Sequence, residues 1–332
     1  MKNYFIISLI LLFFSCNKND TEKVVKLEGQ ALGTSFHITY LDKNSRDFSK
    51  QIDSLIHAVN KSLSTYLVSS DISRINKGDS TVLVDEMFQE VFQKSDKIFR
   101  ETEGAFDPTI GVLVNAWGFG PGGEIDNLDS LNIQKLMEFV GFDKVKIKEG
   151  KVVKDHIETY LDFNANAKGF AVDMIGRFFE SKKIQNYLVE IGGEIRAKGK
   201  NASNNYWKVA IEKPNFDGSR SFQTFLTLED ESIATSGNYR KFKTDKKTGK
   251  KYAHTIDTKT GYPTKSILLS ASVIAKLDCA DVDGYATALM AMGLGRSKFF
   301  LNDHTELKAF LIYSDTTGQI NTFKTNNLVL QK

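Results

Sequence analysis

The chain of 332 residues carries 44 Lys and Arg against 41 Asp and Glu, and a net charge of +3 is too small to argue for a nucleic-acid binder. With 41% apolar residues it is long enough to bury a sizeable core. Cysteine is used only at Cys16 and Cys279, which excludes a disulfide-rich scaffold.

Lys2 and the apolar run 4–14 read as a targeting segment, too short to span a membrane comfortably. It ends in Ser15-Cys16 and turns polar at once, which resembles a bacterial lipoprotein signal. Residues 1–15 are then the signal peptide, Cys16 is the lipid-bearing residue (palmitate among its chains), 16–27 is a polar tether and 28–332 is the folded body. An ordinary cleaved signal with an incidental Cys is the alternative. If Cys16 carries lipid, Cys279 has no disulfide partner and reads as a small buried apolar residue.

Alternation over 31–40 predicts a strand. Ile52, Leu55, Ile56, Val59 and Leu63 predict a helix over 48–63, and Phe88, Val91, Phe92, Ile98 and Phe99 predict one over 87–102. Residues 104–120 are rich in Gly and aromatics, with a turn at Asp107-Pro108. Residues 118–123 fit GxGxxG formally, but Pro121 breaks the turn and no helix follows, so a dinucleotide site is rejected. Strands are predicted at 152–154, 157–163, 187–196, 206–212, 222–228, 267–275, 307–313 and 320–324. Helices are predicted at 133–140, 168–182, 283–293 and 296–302. This order gives an α+β class, with mixed or antiparallel sheets and packed helices. The lysine run at 241–251 reads as a solvated hairpin or loop.

Hydrolase, Walker and zinc signatures are missing, and the histidines are scattered. Three regions offer chemistry. In the first, the strand-like run 157–163 feeds a helix through Asn164-Ala165-Asn166-Ala167, with Asp162 before the turn and Lys168 at the helix start, where anions bind well. The second is Asp278, Asp281 and Asp283 before an Ala-rich helix. Asp283 and Thr287 share a helix face and are hard oxygen ligands suited to Mg²⁺, although from this segment alone helix capping is the better explanation of such Asp residues. The third is Tyr252-Ala253-His254-Thr255-Ile256-Asp257 before a Gly-Tyr-Pro turn, where His254 is either a base or structural.

Taken together, these segments resemble the ApbE family of FAD:protein FMN transferases. Leu161-Asp162 through Ala167-Lys168-Gly169-Phe170-Ala171-Val172-Asp173 is similar to its LDLGxxAKGYAVD, and Asp283-Gly284-Tyr285-Ala286-Thr287-Ala288-Leu289 to its DALATAL. Residues 252–263 resemble YxHIIDPxTGxP, 64–76 resemble STYxxxSxLSRFN, 104–120 resemble GAFDxTxGPLxxLWGFG, and Ser236-Gly237-Asn238-Tyr239 matches SGxY. The matches follow in family order from about Gly33 to Gly293.

The resemblance implies an ApbE-like, T-fold-related architecture and Mg²⁺-dependent transfer of FMN from FAD to a Thr or Ser hydroxyl, with AMP released. It implies Mg²⁺ at Asp283, Thr287 and the Ala165 carbonyl. It implies FAD contacts at Leu32, Tyr66, Ala105, Phe106, Asp107, Asp162, Lys168, Thr255 and Ile256. Catalytic candidates are His254 and Asp257, with Asp283 also a possible base and His254 preferred. Acceptors in the family are exported or membrane redox proteins, which fits a lipoprotein anchored in a bacterial membrane and facing the periplasm or outside of the cytoplasmic membrane. Two other readings of the site are a Mg²⁺-dependent FAD pyrophosphatase and a non-catalytic flavin-binding lipoprotein. The sequence departs from the family pattern at Leu32 (usually Met), at Asn164 and Asn166 (usually Gly and Ile), and at Val189-Glu190-Ile191-Gly192-Gly193-Glu194 (usually VNxGGD).

Overall fold

An open, eight-stranded antiparallel sheet is the spine of the protein. The computed structural model describes residues 22–331 except 126–127, 216, 218, 239–241 and 245–250, so Cys16, the signal run and Tyr239 lie outside the described residues. In chain order come β1 (Lys23–Ala31), β2 (Thr34–Asp42), α1 (Ser49–Leu63), α2 (Asp71–Asn76), α3 (Glu86–Glu101), α4 (Gly111–Ala116), α5 (Ser130–Met137), β3 (Val145–Lys148), β4 (Lys151–Lys154) and α6 (Ala167–Ser181). They are followed by β5 (Tyr187–Ile191), β6 (Glu194–Lys198), β7 (Trp207–Glu212), β8 (Phe222–Leu228), β9 (Ser232–Gly237), β10 (Phe242–Thr244), β11 (Lys251–Ala253), β12 (Leu268–Ala275), α7 (Cys279–Asp303), β13 (Lys308–Ser314) and β14 (Ile320–Lys324). The sheet runs β1-β2-β5-β6-β9-β12-β13-β14, and β3–β4, β7–β8 and β10–β11 are separate hairpins. The α+β expectation holds, with every named strand pair antiparallel.

The central strands bury both faces. Ala271 and Val273 of β12 join the main core with Phe170, Ile175, Val282 and Leu289 of α6 and α7. Ile274 of β12, with Ile233 and Ile312, packs on the other face against Trp207, Val209 and Leu226 of the β7–β8 hairpin. Two-sided burial explains why β12 reads as an almost unbroken apolar run rather than an alternating one.

Several expectations are corrected. Lys23–Leu27, assigned to the tether, belongs to β1: Val25 and Leu27 are half-buried against the core while their neighbours are exposed, so a one-faced edge strand looks polar in composition. The strand expected at 157–163 does not form: Ile157 and Glu158 lie in a turn closed by the Thr159 N–H on the His156 carbonyl, and the rest joins no ladder apart from a bridge between Tyr160 and Ile110. The Leu161 N–H and C=O are both taken by the Asn76 side chain, at 2.8 Å each, and the Asp162 N–H donates to the Pro108 carbonyl. The run 187–196 is a hairpin, because Gly192 and Gly193 at φ 64° and 106° turn the chain between β5 and β6. The two helices expected at 283–293 and 296–302 are both present, separated where Gly293 adopts φ 73°, but the first starts earlier, at Cys279. β9 was not foreseen, since its Ser232, Thr235 and Ser236 disguise a central strand.

Helices α6 and α7 cross at their N-terminal ends with almost no space between backbones. A Cβ on Gly169 would lie 2.5 Å from the Cys279 carbonyl oxygen and 2.7 Å from the Ala280 nitrogen. Both neighbours are backbone, so they yield only if the helices separate. Gly169→Ala is expected to cost about 1–3 kcal/mol, measured as a lower urea midpoint in equilibrium unfolding; an unchanged midpoint would show that this crossing is not tight.

Candidate active site

The α6–α7 crossing is fixed by one buried carboxylate. Asp173 Oδ1 accepts the Cys279 N–H at 2.8 Å, and its Oδ2 accepts the Ala280 N–H at 2.9 Å. Arg196 of β6 donates to Asp173 at 2.7 Å. Asp173 therefore caps α7 from another helix, satisfying N–H groups that a helix start leaves open. Asp278, in the N-cap position, makes no cap bond of its own. Its carboxylate is held by Lys94, Arg177 and Arg196 at 2.9, 2.7 and 2.7 Å, which keep its pKa well below the usual range although burial pushes it up.

One turn into α7, Asp283 meets the start of α6. Asp283 Oδ2 accepts the Gly169 N–H at 3.3 Å and lies 3.6 Å from Lys168 Nζ. Lys168 Nζ is also 3.2 Å from Glu194 Oε1 at the start of β6. The capping alternative for Asp283 is thus replaced by a cross-helix role. Burial pushes Glu194 up to about 8, against the pull of Lys168, with Asp283 adding to the rise. Burial also raises Asp283, opposed by Lys168. Burial works against charge on Lys168 too, but the Asp283 and Glu194 carboxylates hold it above the usual lysine range. Thr287, one turn beyond Asp283, shares a hydrogen bond of 3.2 Å with Ser236 of β9. Ala165 is central in the turn at 164–166 that opens α6.

The two Asn residues in that turn have structural partners. Asn164 donates to Thr65 Oγ1 at 3.0 Å and Asn166 to Ser95 Oγ at 2.9 Å, tying the turn to the end of α1 and to α3. The Asn166 Oδ1 and Glu194 Oε2 atoms are buried without a hydrogen-bond partner among the described residues.

Two hairpin turns close the same end of the sheet. Leu32 and Gly33, at φ 52° and 77°, connect β1 to β2, and Gly192-Gly193 connects β5 to β6. The Gly192 N–H donates to the Ser35 carbonyl, so the turns are adjacent. A leucine at positive φ is uncommon, and such conformations concentrate where a site needs them.

Asp162 is held by its bonds to Pro108 and Asn164, and burial raises its pKa. Tyr66 is 64% exposed, and its phenol pKa is raised first by partial burial and then by the Asp162 charge. Ala105 and Phe106 are buried, and the Phe106 ring packs near Gly284 in α7. Asp107 Oδ1 accepts the Thr109 N–H and hydroxyl at 2.8 and 2.6 Å.

Residues 252–263 are drawn to the site through β9. Thr255 Oγ1 donates to Asn238 Oδ1 at 2.7 Å, directly after Ser236-Gly237, so the SGN stretch links Thr287 to Thr255. Ile256 is buried with Leu113 and Ile133, and Thr258 donates to the Gly104 carbonyl at 2.6 Å. Asp257 Oδ1 accepts the Lys259 and Thr260 N–H groups and so shapes the Thr-Gly-Tyr-Pro turn. The His254 ring lies edge-on to Phe119, with centroids 6.4 Å apart. Sequence reasoning missed Ser236, Asn238 and Glu194 as site residues. The signal for each was present, in the SGxY match and in the Gly-Gly-Glu that ends a strand.

The ApbE family profile matches residues 32–311. A FAD:protein FMN transferase of Haemophilus influenzae is 35% identical over 325 residues, covering 94% of this chain and 92% of that protein. One from Vibrio cholerae is 37% identical over 303 residues, covering 88% of each. The solved structure of the flavin transferase ApbE from Vibrio cholerae superposes with a TM-score of 0.81 at 32% identity, over 92% of this chain and 98% of that one. The apo flavinyl transferase ApbE of Pseudomonas stutzeri gives 0.80 at 27% identity, over 92% and 96%.

Asp107 gives the site a pH signature. Burial pushes its pKa from the usual 3.8 up to about 6 despite the Thr109 bonds. Its neutral form is favoured in the folded state, so its contribution is full below about pH 4 and is lost as pH rises through about 6. Asp107→Asn keeps an acceptor for Thr109 and cannot ionise. The stability of the native chain relative to this variant is expected to fall by on the order of 3 kcal/mol between those limits and to stay level above them, measured by urea unfolding at a series of pH values. A flat difference would show that the carboxyl titrates normally.

Proposed function

The chain belongs to the ApbE family, and on that premise we propose that it is a FAD:protein FMN transferase. An acceptor hydroxyl, of Thr or Ser, attacks the phosphorus of the FMN half of FAD. The new bond is a phosphoester, the phosphoanhydride P–O bond breaks, and AMP departs with the bridging oxygen. The observation that carries the reading is the junction of Lys168, Asp283 and the Gly169 N–H at the crossing of α6 and α7.

The residues present fit a Mg²⁺ ion. Asp283 supplies a buried carboxylate, Thr287 would supply a hydroxyl one turn on, and Ala165 a carbonyl from the turn that precedes α6. Among the described residues no group of three or more His, Cys, Asp and Glu is placed to hold a metal. This suits an ion that takes few protein ligands and completes its shell with water and phosphate. Bound there, Mg²⁺ would offset charge developing on the pyrophosphate.

The chain's own groups do the rest. Lys168, at the start of α6, favours an anion. Tyr66, Leu32 and the segment from Ala105 to Asp107 surround the flavin and adenosine, with Asp162, Thr255 and Ile256. A base must take the hydroxyl proton. Asp257 already accepts the N–H groups of its turn, and Asp283 faces Lys168. His254, an imidazole of the type most often used to take such a proton, is the base we favour. Exported or membrane redox proteins are the proposed acceptors. The same reading includes lipid on Cys16 and a position outside the cytoplasmic membrane, supported by the apolar run 4–14 and the polar residues after Cys16.

The test is to incubate the purified chain with FAD, Mg²⁺ and a candidate exported redox protein. The intact mass of the acceptor is expected to rise by one FMN that survives denaturation, with AMP released. Free FMN with AMP would favour the pyrophosphatase, and no product at all would favour a flavin binder. Asp283→Ala is expected to lose about 100-fold or more of the Mg²⁺-dependent rate, as when an aligned electrostatic contact is removed; an unchanged rate would remove Asp283 from the metal site.

A further inference from the structure

Lys168 and the metal assigned to Asp283 make claims on the same oxygen. Lys168 Nζ lies 3.6 Å from Asp283 Oδ2, the atom that also accepts the Gly169 N–H. That separation exceeds a charge-assisted hydrogen bond, whereas the contact to Glu194 Oε1, at 3.2 Å, is closer. The carboxylates are 3% and 4% exposed and the lysine side chain is 29% exposed, so Lys168 keeps contact with solvent while its ammonium lies against both. A divalent ion on Asp283 would repel an ammonium at this distance strongly. Glu194 also carries a second oxygen that is buried and unpartnered.

We propose that Lys168 is an internal stand-in for the divalent cation, held between Asp283 and Glu194 until the metal displaces it from Asp283. The inference rests on Asp283 being a metal ligand. Glu194 is the pivot: it keeps its contact with the ammonium when Asp283 is given up, which leaves Lys168 at the open side where the phosphates of the substrate arrive. Metal and lysine then compete for one carboxylate, and the displaced lysine and the metal act on the same polyanion. Binding of FAD, by engaging Lys168, favours the metal, and the metal favours FAD to the same degree.

Manganese serves as the probe. The purified full chain is titrated with Mn²⁺ without FAD, following free Mn²⁺ by electron paramagnetic resonance. Lys168→Met is expected to bind Mn²⁺ about fivefold or more tightly than the native chain, the lower end of typical coupling between sites. Lys168→Arg, which keeps the charge, is expected to bind as the native chain does. Glu194→Gln is expected to bind more weakly. Native near-ultraviolet circular dichroism checks that each variant is folded, with Lys168→Gln replacing the Met variant if needed. The proposal is overturned if removing the charge leaves the Kd within about twofold or weakens binding, if the Arg variant binds as tightly as the Met variant, or if no protein binds Mn²⁺. FMN transfer is not read in this titration, so tightening here together with no FMN on the acceptor in the separate transfer assay would preserve the exchange and reject the transferase reading.

Discussion

The site depends on the bonds around Asp173. Its carboxylate joins the N-terminus of α7, the side of α6 and Arg196 of β6. Hydrogen bonds to a charged group contribute about 1.5–3 kcal/mol each, and a buried charge is tolerated only when so surrounded. Gly169 and Asp173 are four residues apart and lie on one face of α6. The absence of a side chain at the first lets the helices touch, and the carboxylate at the second fixes where they touch. Asp283 reaches Lys168 because Cys279 and Ala280, one turn earlier, are already fastened.

The sheet supplies the other half of the arrangement. The turns at Leu32-Gly33 and Gly192-Gly193 share one end of it, and Glu194 follows the second directly. β9 lies between β6 and β12 and bonds Thr287 through Ser236, while Asn238 beyond it bonds Thr255. Of the polar residues that hid β9 in the sequence, Ser236 begins the link from the α7 side of the site to the segment carrying His254, and Asn238 just beyond the strand completes it. Strand polarity here reflects what the strand must hold, not exposure.

This explains which parts were legible. Helix α6 was, because its apolar spacing and small-residue entry are local properties. Grouping Asp162, Lys168, Asp283 and Thr287 was possible only through the family resemblance, since nothing local in 161–169 points to a helix more than a hundred residues later. The strand at 157–163 failed because an extended apolar run carries no record of who receives its hydrogen bonds. Asn76, 85 residues away, takes both backbone groups of Leu161. Asn164 and Asn166 looked like odd substitutions for the same reason: their partners, Thr65 and Ser95, are adjacent only after folding. Glu194 was passed over because strand position and burial, not residue type, make it part of the site.

The atoms left without partners sharpen the argument from energy. A buried polar atom without a hydrogen bond costs about 1–3 kcal/mol, and Asn166 Oδ1 and Glu194 Oε2 both belong to residues close to Lys168, one in sequence and one in space. Two carboxyl groups facing one ammonium are unevenly matched, and burial, with the nearby Asp283 charge, pushes the Glu194 carboxyl toward its neutral form. An apolar replacement would relieve that cost, and a second lysine would balance the charge. The chain has neither. Instead it keeps the Asp283 and Glu194 carboxyls 3.6 and 3.2 Å from one ammonium, with one Glu194 oxygen still unpartnered. On the proposed reading a doubly charged ion replaces that ammonium on Asp283, so the local instability and the proposed chemistry would have one physical origin.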